Sequence, residues 1–370
     1  MVSFEILSAS VNGETRDLRM KNIRHLKRIS RVSRICIVLL ILVSCSGQHV
    51  TGTSQRSLVV RTALMEPEAM VYARAFENRT GIKVEVVRQS TGVMLSFLKF
   101  ERNNAVDTTI DVLFGGPADA YVIGAREGLF EKYISPERAN IARDHMDKDG
   151  CWSGVYLGSI GFAVNPKRLK ELGLSTPACW DDLLSPKLRG EISMANPVSS
   201  GTGYTILATL AQIMGKDQAL EYLKALDSNT LDYTGSGAMP GKLVGLGQIA
   251  VGILFSHDVL AFRQQGYDID LVFPKEGTGF EIGGIAIVKG TKKLDEAKRF
   301  VDFMLSAEGQ NLYAAMGEFR LPTNRLATIP PGAVPFSKIN VIEYDVTWAA
   351  VHKEDLLEEW MSATGDAGGE

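Results

Sequence analysis

The feature of this 370-residue sequence that most restricts its fold is a regular alternation of short apolar stretches with amphipathic ones. Residues 57–62 are typical of a strand, residues 66–78 of an amphipathic helix, residues 82–87 of a strand and residues 90–100 of a helix. Residues 110–114 (IDVLF) form a buried-type strand that ends at two glycines. This strand–helix–strand order predicts a parallel sheet covered by helices on both faces.

A second block of the chain shows the same alternation. Strands are predicted at residues 190–195, 248–255, 271–273 and 282–289, and helices at residues 205–214 and 294–305. In sheets of this kind, ligands bind beyond the carboxyl ends of the strands. The turns that follow each strand are therefore the places where we expect a binding site.

The start of the chain has the composition of an export signal. Residues 20–34 hold six Lys or Arg and no acidic residue, and residues 35–43 form an apolar run. A basic stretch before a short apolar run is the signature of a secretory signal peptide. The run is shorter than the ~20 apolar residues of a membrane-spanning helix. Residues 1–19 carry acidic side chains where a signal peptide should be basic, so translation from Met20 and a genuine N-terminal extension both stay open.

The apolar run ends in the sequence LVSC, which resembles the bacterial lipobox. That resemblance implies that Cys45 carries a lipid and that the exported protein is attached to a membrane, in the periplasm or at the cell surface. The polar residues 45–56 that follow suit a flexible tether. The predicted plan therefore begins with an extension plus signal peptide at residues 1–44 and a tether at residues 45–56.

Charge and cysteine content exclude several classes of function. The formal net charge is −3, and no cluster of Lys and Arg occurs outside the signal, which argues against nucleic acid as a partner. Besides Cys36 and Cys45 the sequence has Cys151 and Cys179, which could pair in an oxidising compartment or stay free. Their spacing is not that of a metal site, and we expect no metal and no cofactor.

Three segments resemble bacterial extracellular solute-binding proteins, a group that includes ferric-ion, thiamine, phosphonate, polyamine and hexose-phosphate binders. They are TPACWDDLLSPKLRGEI at residues 176–192, NP and SGTGY within residues 196–204, and KRFVDFMLSAEG at residues 298–309. The resemblance implies an α/β fold of the two-lobed periplasmic-binding-protein type (type II). In that fold each lobe is a mainly parallel sheet flanked by helices, and two crossing strands join the lobes, which close on a ligand like a hinge.

The same resemblance divides the rest of the chain. It places lobe 1 at residues 57–157 and 283–330, lobe 2 at residues 158–282, and a C-terminal helical segment at residues 331–370. It also implies a monomer that delivers a small anionic ligand to the permease of an ABC importer and catalyses no reaction of that ligand.

Two stretches, FSHD at residues 255–258 and PKEGTGFEIGG at residues 274–284, resemble the hexose-phosphate-binding members of the group. This resemblance implies that His257, Asp258 and Glu281 contact a sugar. It further implies that small residues at helix starts hold the phosphate group of that sugar, namely Ser90, Thr91, Ser200, Thr202, Ser236 and Gly237.

The residue types agree with these roles and also have ordinary explanations. Helix N-termini offer backbone N–H groups to an anion, and carboxylates accept strong hydrogen bonds from hydroxyl groups. However, Ser and Thr before a helix usually cap it, Asp258 could do the same, and His257 could lie at the surface. Trp152, Tyr156 and Phe280 could cover a sugar face or pack between lobes.

Alternative functions stay open at this point. Ferric-binding relatives show two adjacent tyrosines, whereas Tyr204 and Tyr233 stand alone here, and one His with two carboxylates is a sparse set for Fe(III). A phosphonate or thiamine-type ligand would use the same anion-binding turns, although thiamine calls for aromatic walls. Two carboxylates in a cleft also suggest a secreted glycosidase. The sequence has no nucleophile elbow, zinc-protease motif or phosphate loop, which argues against an enzyme.

Overall fold

The computed structural model describes residues 57–365, and within this range the chain forms a mixed α/β structure. Its strands are β1 (Leu58–Thr62), β2 (Val84–Arg88), β3 (Val112–Pro117), β4 (Ser153–Val164), β5 (Ile192–Ala195), β6 (Thr230–Thr234), β7 (Val251–Phe255), β8 (Asp270–Val272), β9 (Phe280–Ile287) and β10 (Leu321–Pro322).

Helices follow most of these strands. The α-helices are α1 (Glu66–Thr80), α2 (Thr91–Asn103), α3 (Ala118–Arg126), α4 (Pro166–Glu171), α5 (Gly201–Met214), α6 (Lys216–Asp227), α7 (Met239–Gly245), α8 (Ser256–Gln264), α9 (Leu294–Leu305), α10 (Ala307–Gln310), α11 (Leu312–Met316), α12 (Val346–Val351) and α13 (Lys353–Thr364). Short 3-10 helices lie at Pro136–Asn140, Arg143–His145, Asp181–Leu184, Pro186–Leu188 and Phe336–Lys338.

The strands form one sheet in the order β2-β1-β3-β9-β4-β7-β5-β6, with β8 and β10 also paired to β4. The outer strands run parallel, as the alternation predicts: β1 with β2 and β3, and β5 with β6 and β7. The central pairs, β3 with β9 and β4 with both β9 and β7, run antiparallel. The sheet thus has two parallel halves joined by antiparallel strands, and the predicted α/β, two-lobed type II fold is confirmed.

Strand β4 passes from one half of the sheet to the other. Its first part, from Ser153 to Ser159, pairs with β9, and its second part, from Ile160 to Val164, pairs with β7. All twelve residues of β4 are buried, since both faces of a central strand are covered. The chain returns through Thr278, whose side chain donates to the carbonyl of Ile160 at 3.0 Å. The predicted boundaries 157/158 and 282/283 fall near these crossings, and the division into lobes at those residues stays a prediction.

Each half of the sheet has its own apolar core. On one side α9 buries its apolar stripe, and Phe300 meets Phe76 of α1 edge to face at 5.1 Å. On the other side Trp180 is fully buried, lies against Phe162 of β4 at 4.9 Å, and donates to the carbonyl of Gly277. Strands β3, β5 and β7, which lead to the site, contribute buried side chains to these cores.

The C-terminal segment touches both halves. Helix α12 packs on α3, while α13 packs on α5 and α6. The first part of this segment, residues 331–345, contains only the 3-10 helix at Phe336–Lys338, so the predicted helical segment is helical from Val346 to Thr364.

Several predictions about the chain termini fall outside residues 57–365. These are the signal peptide at residues 1–44, the lipidated Cys45 and the tether at residues 45–56. Within the described range, no helix has the length and apolar character needed to span a membrane.

Candidate functional site

A single cavity lies where the helix starts of both sheet halves face the crossing strands. The space between its walls, including the open mouth, is about 550 Å³. Its lining contains every residue that the sequence assigned to ligand contact: Ser90, Thr91, Ser200, Thr202, Ser236, Gly237, His257, Asp258 and Glu281. Residues distant in the sequence therefore meet at one place, and their contact with a ligand stays a prediction.

One end of the cavity is formed by the N-termini of two long helices. Ser90 precedes α2 and Ser200 precedes α5, and neither side chain makes a capping hydrogen bond to its own helix. Both serines thus occupy N-cap positions without capping their helices through the side chain. Their hydroxyls and the first backbone N–H groups of α2 and α5 remain available to an anion, which the helix dipole also favours.

The two helix starts lie against each other because glycines let the backbones approach. A methyl group at Gly201 would come within 2.7 Å of Pro117 and 3.2 Å of the Thr91 hydroxyl oxygen. A methyl group at Gly237, in the turn before α7, would lie 2.1 Å from Oγ1 of Thr202. The three predicted turns thus converge, although α7, with seven residues, is the shortest of the three helices that follow them.

The other end of the cavity is acidic. The buried strand β7 leads into α8, whose first turn carries His257 and Asp258, and Glu281 projects from β9. The Nε2 atom of His257 lies 3.7 Å from Oδ1 of Asp258 and 3.8 Å from Oε1 of Glu281, too far for hydrogen bonds. His257 is 2% exposed and stacks on Phe255 at 5.4 Å, so a surface position for it is wrong. Helix α8 begins at Ser256, before Asp258, which rules out Asp258 as its N-cap.

Burial controls the protonation of this end. It raises the pKa of Asp258 to about 6 and that of Glu281 well above its ordinary value, against the opposing attraction of Arg320. Burial, together with Arg320, lowers the pKa of His257 well below its ordinary value. His257 is therefore neutral at pH 7, with one ring nitrogen able to donate and the other to accept.

The sequence alone did not reveal Arg320, Glu68 and Glu318. Arg320 lines the cavity and is buried; its Nη1 lies 2.7 Å from Oε1 of Glu68 and 3.0 Å from Oε2 of Glu318. Its guanidinium carbon lies 5.0 Å from the ring centre of Tyr156. Burial raises the pKa of Glu68 to about 8, against the attraction of Arg320. Glu68 and Arg320 are 252 positions apart in the sequence, so no local motif indicates that their side chains pair.

Of the three aromatic residues that the sequence offered for a sugar face, one reaches the cavity. Tyr156 lines it and accepts a hydrogen bond from the backbone N–H of Gly116 at 3.1 Å. Trp152 packs near Tyr121 in a core cluster, and Phe280 packs on Phe336. Packing is thus the role of Trp152 and Phe280.

The cysteines and the possible metal ligands of the described residues form neither a disulfide nor a metal site. Cys151 and Cys179 are both free thiols. Between Ser57 and Gly365, no group of three His, Cys, Asp or Glu side chains has an arrangement that could hold a metal ion. Tyr204 and Tyr233, which stood alone in the sequence, do not line the cavity.

Residues 107–345 match a family described as bacterial extracellular solute-binding protein. An uncharacterised protein of Haemophilus influenzae is 37% identical over 296 residues, which cover 78% of this chain and 85% of the relative. A putative 2-aminoethylphosphonate-binding periplasmic protein of Salmonella typhimurium is 28% identical over 246 residues, 64% of this chain and 68% of the relative.

A solved structure gives the same assignment. The periplasmic binding protein AfuA from Actinobacillus pleuropneumoniae, solved with exogenous fructose-6-phosphate bound, is 38% identical. It superposes with a TM-score of 0.81, covering 84% of this chain and 99% of its own.

Proposed function

Because the chain belongs to the bacterial extracellular solute-binding proteins of ABC importers, we propose that its cavity captures a phosphorylated hexose for delivery to the permease. The observation that carries this proposal is that one cavity joins two helix N-termini at one end to buried carboxyl groups at the other. A sugar phosphate has the complementary pair of ends: an anion and a set of hydroxyl groups.

The phosphate end is suited to an anion through hydroxyl and backbone N–H donors, and Arg88 lines the same cavity. A phosphate monoester carries about −1.5 to −2 charges at pH 7. Hydroxyls at Ser90, Thr91, Ser200 and Thr202, with the N–H groups that begin α2 and α5, supply donors that point toward the same space. Ser236 and Gly237 complete this end from the third turn.

The sugar end supplies acceptors. Asp258 and Glu281 would accept hydrogen bonds from neighbouring hydroxyls, and His257 would add one donor or acceptor according to its tautomer. The ring of Tyr156 offers an apolar surface beside them. The structure of AfuA with fructose-6-phosphate supports a ligand of this class.

A second candidate ligand is 2-aminoethylphosphonate. Asp258 lines the acidic end, and because its pKa is about 6 it is largely ionised at pH 7 and would attract an ammonium group. The similarity to a putative 2-aminoethylphosphonate-binding protein supports this alternative. Ferric ion is a weaker candidate, because no described group of side chains is arranged for a metal.

We also propose that export and a lipid on Cys45 keep the receptor near its permease, and that it acts as a monomer. Radiolabelled palmitate incorporation in the producing cell, lost in Cys45→Ala, would support the anchor. Incorporation that persists in Cys45→Ala would contradict it.

A thermal-shift screen tests the proposed ligand, since a ligand that binds only the folded protein raises its stability by RT ln(1 + [L]/Kd). Glucose 6-phosphate should raise the melting temperature, whereas glucose and ferric citrate should not. The variant Glu281→Ala should lose the shift while melting as a folded protein. A shift with ferric citrate or 2-aminoethylphosphonate, and none with hexose phosphates, would refute the proposal.

A further inference from the structure

Arg320 lies beside the crossing strand β4. It directly precedes β10, whose Leu321 and Pro322 pair with Leu157 and Tyr156 of β4. Its side chain is 5% exposed and still contributes to the lining of the cavity. A fully charged group at this depth must be paired or must serve a ligand.

Only part of the hydrogen-bonding capacity of Arg320 is used by the protein. A guanidinium has five N–H donors, and the two on Nη1 have partners in Glu68 and Glu318. Among residues 57–365, no atom accepts a hydrogen bond from Nε, which is buried. The acceptor beside Nη2 is Oδ1 of Asp258 at 4.0 Å, beyond hydrogen-bond distance.

A purely structural role does not account for these unused donors. The hydrogen bonds to Glu68 and Glu318 use only the Nη1 edge of the guanidinium. A buried N–H without an acceptor costs about 1–3 kcal/mol, so a structure that keeps one usually has a use for it.

We infer that Arg320 is a further ligand-binding residue of this cavity, donating through Nη2, beside Asp258, to a hydroxyl or ring oxygen of the bound sugar. This inference rests on the proposed function. Arginine only donates and a carboxylate only accepts, so Arg320 beside Asp258 forms a mixed pair of donor and acceptor. A hydroxyl group satisfies both partners, whereas an ammonium group satisfies the carboxylate and leaves Arg320 unpaired. The pair therefore selects a polyhydroxylated phosphate over an aminophosphonate.

A double-mutant cycle between the protein and its ligand tests this inference. Titration calorimetry would compare glucose 6-phosphate with its mono-deoxy analogues on the wild-type protein, on Arg320→Lys and on the matched surface variant Arg325→Lys. Lysine keeps the positive charge at this position but loses the planar arrangement of guanidinium donors. On the wild-type protein, at least one deoxy analogue should bind about 10- to 100-fold more weakly. On Arg320→Lys, glucose 6-phosphate should lose a similar factor, and that analogue should lose nothing further.

The outcomes separate this inference from the proposed function. If Arg320→Lys keeps wild-type affinity for glucose 6-phosphate, the proposed role of Arg320 is refuted and the proposed function stands. The same conclusion follows if the substitution weakens binding of glucose 6-phosphate and of every deoxy analogue by the same factor. Absence of hexose-phosphate binding by the wild-type protein overturns both proposals. Where the variant does not fold, the Nη2–H resonances of Arg320 in the wild-type protein give the answer. Glucose 6-phosphate should shift them and the weakened deoxy analogue should not, and resonances that neither ligand shifts refute the contact.

Discussion

Replacing Asp258 by asparagine should change stability and affinity in opposite directions. Burial raises the pKa of this carboxyl from an ordinary 3.8 to about 6, so its charged form is disfavoured in the folded protein. At pH 7 that difference corresponds to about 3 kcal/mol of lost stability. Asparagine has no charge to bury but is still polar, so Asp258→Asn should raise the free energy of unfolding by about 1–3 kcal/mol.

The pH dependence has a definite sign. Between about pH 4 and pH 6 the folded protein holds a proton on Asp258 more tightly than the unfolded chain does, so the stability of the ligand-free protein falls as pH rises through this range. The Asp258→Asn variant should lack this part of the slope. Urea denaturation at pH 4.5 and pH 7 would measure the difference between the two proteins.

Affinity should move the other way. Loss of a charge-assisted hydrogen bond to a sugar hydroxyl is worth about 1.5–3 kcal/mol, so Kd for glucose 6-phosphate should rise about 10- to 100-fold in titration calorimetry. The matched control is Asp182→Asn. Asp182 accepts backbone hydrogen bonds from Ala178 and Cys179, which hold its pKa below the ordinary value. That variant should lose stability and keep its affinity. An Asp258→Asn protein that is destabilised and binds normally would refute the reasoning.

Two further substitutions test the phosphate end and the link between the sheet halves. Gly237→Ala should weaken hexose-phosphate binding about tenfold, because its methyl group would displace Thr202; an unchanged Kd in calorimetry would contradict this. Lys353→Met should lower the free energy of unfolding by about 3–5 kcal/mol in urea, because buried Asp119 would lose the cation 2.7 Å away. The exposed ion pair of Lys216 makes Lys216→Met a control that should cost less than about 1 kcal/mol, and equal losses would disprove the burial argument.

Much of the fold follows from local patterns in the sequence. The helix at residues 294–305 is observed as Leu294–Leu305, since its apolar residues recur with helical spacing. Strand β4 is not indicated by a local sequence pattern. Its sequence, SGVYLGSIGFAV, is buried on both faces, so it shows neither the alternation of a half-exposed strand nor the period of a helix. The antiparallel pairing that β4 makes is a tertiary property that no local pattern encodes.

The candidate site likewise has residues that the sequence predicts and residues that it does not. Small-residue turns and the His257–Asp258 pair lie at strand ends, where the α/β rule directs attention, and the structure brings them into one cavity. Arg320 precedes a two-residue strand, and Glu68 reads as an ordinary acidic residue in the first turn of a helix. Their importance arises from mutual burial, which depends on how distant parts of the chain meet.

The central claim is that one cavity binds a sugar and its phosphate together, and calorimetric titration of the purified protein with glucose 6-phosphate tests it most directly. We expect one molecule of ligand per chain, with no detectable binding of glucose and markedly weaker binding of inorganic phosphate, because each alone fills one end of the site. Equal affinity for inorganic phosphate and glucose 6-phosphate, or binding of 2-aminoethylphosphonate without binding of any hexose phosphate, would contradict it.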